Sequence, residues 1–321
     1  MTNSSKTSSS PVEDGPQYGD MYDMTWTSSS SNDDQDKDFD LFTLLVIFSP
    51  IIYIIGLVGN GIVICLLGFH IKRSPFTTYI LNLAVADFGV LLFLSLNYIS
   101  LLIITEVEIY IFLISLLVVS FMHNTSQLLM TAISIDRCVS VLFPFWHRCH
   151  RPPHLSTIVC ALMWILSFLS TGSLIILNNF GYLWIYWVYF SPSIGVAALC
   201  LPLVTLSTMI LLFKVFCKSQ QPRRGRLLTI ILLTLLFFLI FAFPLNAILI
   251  INCFTYMEYF DLVFYGFFCA CLNSCVNPVI YFLVGKKRGQ QRQNLKVILQ
   301  RAFEEKEEHR EEGGTTSQTS V

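Results

Sequence analysis

The residues of this chain that could do chemistry are few, and most stand where polar groups are costly. Asp87 is the one carboxylate in the middle of a long apolar run, within Leu81-Asn82-Leu83-Ala84-Val85-Ala86-Asp87. Asn60, Ser126, Asn273, Ser274 and Asn277 lie in other apolar runs and are its candidate partners. Asn273 and Asn277 are four apart, so they share a helix face. Polar groups at such positions mark either hydrogen bonding between helices or a function. The functional alternative is a water-filled cluster that holds a small cation and rearranges when the helices move. A second group, Asp136-Arg137-Cys138, closes another run, where an Arg can also simply snorkel to lipid headgroups. A third, Asn277-Pro278-Val279-Ile280-Tyr281, ends the last run, and its Pro removes a helix hydrogen bond and permits a bend. Pro202 and Pro244 weaken two more runs in the same way.

Enzymatic chemistry has no foothold. There is no His-Glu-x-x-His, Gly-x-Ser-x-Gly or phosphate-loop pattern, and no second carboxylate inside the runs to pair with Asp87. No enzyme activity, cofactor or nucleic-acid partner is expected. His147-x-Cys149-His150 with His154 has a faint metal-ligand spacing, but it falls in a basic loop, and Cys269 and Cys271 point to nearly opposite sides of a helix. No metal is expected either.

The elements that must carry these residues follow from charge. Hydrophobic residues make up 54 % of the 321 and charged ones 13 %, against roughly 25 % charged in a soluble domain. Lys and Arg are absent from 38–71, 74–136, 152–213 and 227–285. Each stretch accommodates at least one helix of about 20 residues crossing a bilayer. Seven spans result: 41–69, 76–103, 107–142, 154–177, 183–213, 227–254 and 259–284. Helices are required, because an open backbone in lipid leaves its polar groups unpaired. The chain is thus expected to be an all-α membrane protein, a seven-transmembrane helix bundle.

The closing turns of spans one, three, five and seven, with the segments after them, hold 18 of the 20 Lys and Arg residues. By the positive-inside rule the N-terminus is outside and the C-terminus inside. Residues 1–40 are Ser- and Asp-rich with no apolar core, so they read as a disordered extracellular tail without a signal peptide. Asn3-Ser4-Ser5 is a glycosylation sequon there; Asn124-Thr125-Ser126 also matches but lies inside a span. Residues 41–284 form the bundle. Residues 285–303, with Leu295, Val297, Ile298 and Leu299 among basic residues, suggest a short amphipathic helix along the inner membrane surface. Residues 304–321 are a cytosolic tail. Of the ten Cys, Cys253 alone falls near the outer surface, so no extracellular bridge is expected.

Over about residues 40–300 the chain resembles a rhodopsin-like G-protein-coupled receptor. The matching residues are Gly59-Asn60, Leu81 to Asp87, Asp136-Arg137, Trp164, Pro202, Pro244 and Asn277-Pro278-x-x-Tyr281, one signature per span in order. The resemblance implies a multi-pass plasma-membrane receptor in which Arg137 engages a heterotrimeric G protein after span six swings outward. Asn277, Pro278 and Tyr281 would rearrange with it. Asp87, Asn60, Ser126, Asn273, Ser274 and Asn277 would form a sodium-sensitive switch, and arrestin would be a further partner.

Departures narrow the resemblance. Phe112 stands where the outer end of span three usually has Cys, the second extracellular loop has no Cys, Ala242 replaces a Trp, and Cys138 replaces the Tyr of the Asp-Arg-Tyr motif. With Asp136 to Pro144 and Arg148-Cys149-His150-Arg151-Pro152, these features look like the Mas-related receptor family. Several of its members bridge spans four and five by a disulfide; Asn178 and Leu183 leave no such bridge here. Ile210 replaces a span-five Tyr, and Arg224 stands where an acid often pairs with the span-three Arg. Without that ion pair, measurable basal signalling is expected.

The outside carries thirteen acidic residues against two basic ones, and the inside eighteen basic against seven acidic. Such an outer field concentrates cations, so a cationic peptide or small cation is the ligand to expect, unless the acids are an ordinary solvated tail. A biogenic amine fits less well, because the span-three position that supplies its Asp in amine receptors is Val119, and Leu174 offers no acid either. Glu106, Glu258 and Asp261 remain near the mouth. His123 and Gln127, four apart on span three, either face the pocket or pair with each other. Tyr182, Trp184, Tyr186, Trp187 and Tyr189 read as an interfacial aromatic belt. The end Thr319-Ser320-Val321 matches the pattern that adds as a strand to a PDZ domain. The rival class is an ion- or proton-coupled transporter or channel using Asp87, although seven dissimilar spans lack the paired repeats usual there.

Overall fold

The computed structural model describes residues 41–103, 108–177, 185–217, 225–255, 260–285 and 294–303. The chain divides into two units, 1–39 and 40–321, and all the described residues belong to the second. These described residues form nine α-helices: α1 Leu41–Cys65, α2 Pro75–Ile103, α3 Glu108–Leu142, α4 Pro144–Cys149, α5 Leu155–Leu177, α6 Ile185–Cys217, α7 Gly225–Thr255, α8 Phe260–Gly285 and α9 Leu295–Phe303. Seven of them, all but α4 and α9, are long and apolar enough to cross a membrane. The outward faces agree: Ile54, Phe168, Leu169, Met209 and Phe213 are large, apolar and exposed, which suits lipid and not water.

The helices pack as a closed bundle. α1 lies against α2 and α8, α7 lies between α6 and α8, and α3 touches α2, α5, α6 and α7. Close approach needs small residues. A Cβ on Gly56 of α1 would run into Cys275 Sγ of α8 and lie 2.5 Å from Leu91 Cδ1 of α2. Polar groups tie the helices across the apolar core. Trp164 Nε1 donates to Asn82 Oδ1 at 3.0 Å, Ser167 Oγ to the Phe121 carbonyl at 2.7 Å, and Cys275 Sγ to the Ile52 carbonyl at 3.1 Å. The eight described cysteines are free.

Two local features were not legible in the spans. α1 ends in one wider π-type turn, Leu66–His70, closed by the Ile71 N–H on the Leu66 carbonyl at 2.9 Å. The loop after α3 folds into α4, with Pro144 in its first turn, where a missing N–H costs nothing. Of the expected amphipathic segment 285–303, residues 286–293 lie outside the described residues. α9 starts at Leu295, and Ile298, Leu299, Ala302 and Phe303 are buried against the bundle; only Leu295 and Val297 keep apolar surface outward.

Candidate functional site

The middle of the bundle is organised around Asp87, which is fully buried in α2. Its Oδ1 accepts from Ser126 Oγ of α3 at 2.8 Å and from Ser274 Oγ of α8 at 3.1 Å. Its Oδ2 accepts from Asn277 Nδ2 of α8 at 2.8 Å. Donors to a carboxylate make stronger bonds than neutral pairs, so three helices converge on one charge. Asn60 joins at one remove: its Nδ2 donates to the Gly56 carbonyl at 3.0 Å and to the Ser274 carbonyl at 2.9 Å. It fixes the α8 backbone beside Ser274 rather than touching Asp87. Asn273 is buried on α8 but takes no part in the bonds to Asp87 among the described residues. The geometry is that of a polar knot in which two hydroxyl oxygens and a carboxylate lie close together, oxygen chemistry that suits a small hard cation.

Toward the loops that join α1 to α2 and α3 to α5 lies the second cluster. Asp136 and Arg137 end α3, with side chains 9 % and 7 % exposed, so Arg137 does not snorkel outward. Arg137 Nη2 stands 3.5 Å from Asp136 Oδ2, and its guanidinium lies over the Phe76 ring, 4.4 Å from the centroid. That is a cation–π contact in a desolvated place. Phe76 is held there by the start of α2. Ser74 Oγ accepts from the Thr77 N–H at 3.2 Å while Thr77 Oγ1 accepts from the Ser74 N–H at 2.6 Å, a reciprocal cap.

Asp136 is shared. Arg151 Nη2 reaches Asp136 Oδ1 at 2.8 Å, Arg151 Nη1 donates to His147 Nε2 at 2.9 Å, and His147 Nε2 is 3.8 Å from Asp136 Oδ2. Sequence reasoning missed Arg151, because only α4 brings it back onto α3. His147 is thus engaged by Arg151 and Asp136.

A third polar group sits between these two clusters and the far end. Gln127 Nε2 lies 2.6 Å from His123 Nε2 and donates to Asn246 Oδ1 of α7 at 3.3 Å. All three are buried. His123 and Gln127 thus pair with each other, and the pair extends to α7. Asn246, two positions past Pro244, is a polar residue in an apolar span, a signal of the same kind as Asn60 and Asn277.

Pro278 lies inside α8 and Tyr281 is fully buried one turn beyond Asn277. Asn124 is buried in α3. Asn3, Glu106, Glu258 and Val321 lie outside the described residues, as does the side chain of Asp261 in the first turn of α8.

A bundle of seven membrane-length helices with a buried carboxylate knot and an Arg at the end of α3 defines the class of seven-helix receptors. Residues 59–281 match the family model described as 7 transmembrane receptor (rhodopsin family). Mas-related G-protein coupled receptor member X1 of Homo sapiens is 39 % identical over 282 residues, covering 84 % of this chain and 86 % of that protein. Member B2 of Mus musculus is 35 % identical over 289 residues, covering 85 % and 84 %. The proto-oncogene Mas of Rattus norvegicus is 33 % identical over 277 residues, covering 83 % and 86 %. The chain belongs to the rhodopsin family of seven-transmembrane receptors and, within it, to the Mas-related G-protein coupled receptors. It is a multi-pass plasma-membrane receptor that answers an extracellular ligand through a heterotrimeric G protein, in a family that is in general not enzymatic.

Proposed function

We propose that the receptor is driven by a cationic peptide or small cation arriving from the side of its N-terminus, and that Arg137 carries the signal to the G protein. The supporting observation is the pairing geometry at the end of α3. Arg137 stands 3.5 Å from Asp136 Oδ2 and lies over the Phe76 ring, so an entering partner competes with these groups for the guanidinium. The N-terminus is outside, by the distribution of Lys and Arg. In this reading Asp87, with Ser126, Ser274 and Asn277, forms the sodium-sensitive knot, Asn60 and Asn273 support it, and Pro278 and Tyr281 move with it. The polar group His123–Gln127–Asn246 lies beneath the ligand site, and Glu106, Glu258 and Asp261 are the acids that attract a basic ligand to its mouth.

Residues 1–40 form an outer tail glycosylated at Asn3. Residues 304–321 form a cytosolic tail open to arrestin and, at Val321, to a PDZ domain. No enzymatic role is assigned. Screening basic peptides against nucleotide exchange on a panel of G proteins tests this reading, with Arg137→Ala as control. Exchange that appears with a basic peptide and disappears with R137A supports it. Ion current through the protein without exchange would replace it with a transporter or channel that uses Asp87.

A further inference from the structure

We propose that α9 is an internal plug: in the uncoupled receptor it occupies the mouth at the Arg137 end of the bundle, and binding of the G protein displaces it. The inference rests on the reading that this end couples to the G protein.

Nine residues are too few for a helix that is stable alone in water, so α9 exists because something holds it. The residues that face inward show what does. Leu299 and Ala302 are fully buried, Ile298 and Phe303 nearly so, while Leu295, Lys296, Val297 and Gln300 are exposed. The buried four recur at helical spacing and so form one stripe. That stripe meets protein. α9 packs on α8, on α7 and on the turn 66–70 that ends α1. A helix lying along the flank of α8 in lipid has no reason to touch α7 and the end of α1 together; one lying across the end of α8 does. The approach is close: a Cβ on Gly285 would collide with the Ile298 carbonyl and stand 2.8 Å from its Cγ2.

Phe303 then joins the residues that coupling must move. Its ring stands edge-on to Tyr281, with centroids 5.3 Å apart, and edge-on to Phe76, with centroids 5.8 Å apart. The other side of this relay is Arg137, 4.4 Å from the Phe76 centroid. Leu299, Ala302 and Phe303 are part of the same apolar core as Phe76, Tyr79, Ile230 and Tyr281. A partner that reaches Arg137 must dislodge this packing, and an outward swing of α7 removes one wall of the α9 seat. Seating of α9 and seating of the G protein therefore oppose each other, and by linkage each weakens the other to the same degree.

The test uses the full-length receptor in lipid nanodiscs, alone and with the saturating, nucleotide-free heterotrimer that responds best in a panel. Hydrogen exchange is followed at 295–303. Basal nucleotide exchange per receptor is measured for the unaltered chain, Phe303→Ala and Arg137→Ala. The plug predicts slow exchange of the α9 amides in the free receptor and exchange about tenfold faster or more with the G protein bound. It also predicts that F303A raises basal nucleotide exchange by about threefold or more. Protection that is unchanged or deeper with the G protein, or a fall in basal exchange in F303A, overturns it. If nucleotide exchange depends on Arg137 while α9 protection stays constant, the plug alone has failed. If R137A changes nothing, the coupling reading has failed and the plug falls with it.

Discussion

Arg151 sets how tightly Asp136 can hold Arg137, and replacing it tests that arrangement. In the structure Asp136 spends Oδ1 on Arg151 at 2.8 Å, while Oδ2 lies 3.5 Å from Arg137 and 3.8 Å from His147. Arg151→Met keeps the length of the side chain and removes the competing charge. Oδ1 is then released to Arg137, and the pair can close to about 2.8 Å. With an effective dielectric of about 20, the attraction rises from about 4.7 to about 5.9 kcal/mol. The gain of about 1.2 kcal/mol restrains Arg137, and since 1.4 kcal/mol is tenfold, release falls roughly sevenfold. All three side chains are less than a tenth exposed, so solvent screens little of this. The assay is agonist-independent nucleotide exchange on a reconstituted G protein, normalised to folded receptor, because breaking a buried pair also costs stability. R151M is expected to lower exchange about sevenfold, and Arg151→Lys to lower it less. Exchange that is unchanged or higher in R151M would refute the competition for Asp136.

Removing the charge of Asp87 tests the knot: Asp87→Asn leaves Ser126 and Ser274 an acceptor while abolishing the anion. Basal exchange of the unaltered receptor should fall when sodium replaces a bulky organic cation at constant ionic strength, with about 1 kcal/mol of differential binding giving about fivefold, and D87N should show no such dependence. Equal sodium sensitivity in both would remove the cation from the account. Gly56→Ala inserts a methyl against Cys275 Sγ and Leu91 Cδ1 and should cost about 1–3 kcal/mol, seen as loss of folded receptor at the surface. Adding Cys275→Ala should recover part of that loss, whereas Gly68→Ala, with no neighbour within 4 Å, should be neutral; a G56A receptor as abundant as the parent would contradict the packing. Neutralising Glu258 and Asp261 together should weaken a basic agonist without altering basal exchange, and unchanged potency would dismiss the outer acids as the attracting charges.

How far the sequence carried depended on which partner each residue chose. The seven spans were legible because Lys and Arg are excluded from lipid, and their limits shifted by only a few residues at most ends. Ser126, Ser274 and Asn277 were legible as partners of Asp87 because a buried charge demands donors and few were on offer. Asn60 and Asn273 met the same criterion but make no hydrogen bond to Asp87 among the described residues; a carboxamide is equally served by a backbone carbonyl, as Asn60 is by those of Gly56 and Ser274. Arg151 looked like one more basic loop residue; its contact with Asp136 depends on α4, whose six residues are too few to show a periodic pattern. For α9 the apolar stripe was visible, but lipid and protein are both apolar, and hydropathy alone does not say which one the stripe faces. Phe303 became informative only when its ring was found between Tyr281 and Phe76.

On the proposed reading, Arg137, at the end of α3, transmits the state of the bundle to a heterotrimeric G protein. Nucleotide exchange on purified G protein, driven by the full-length receptor in nanodiscs, measures this directly when the unaltered chain and Arg137→Ala are compared at equal folded amounts. Exchange above that of empty nanodiscs is expected for the unaltered chain, and its loss in R137A. Equal exchange from both, or ion flux through the unaltered chain with no exchange at all, would contradict it.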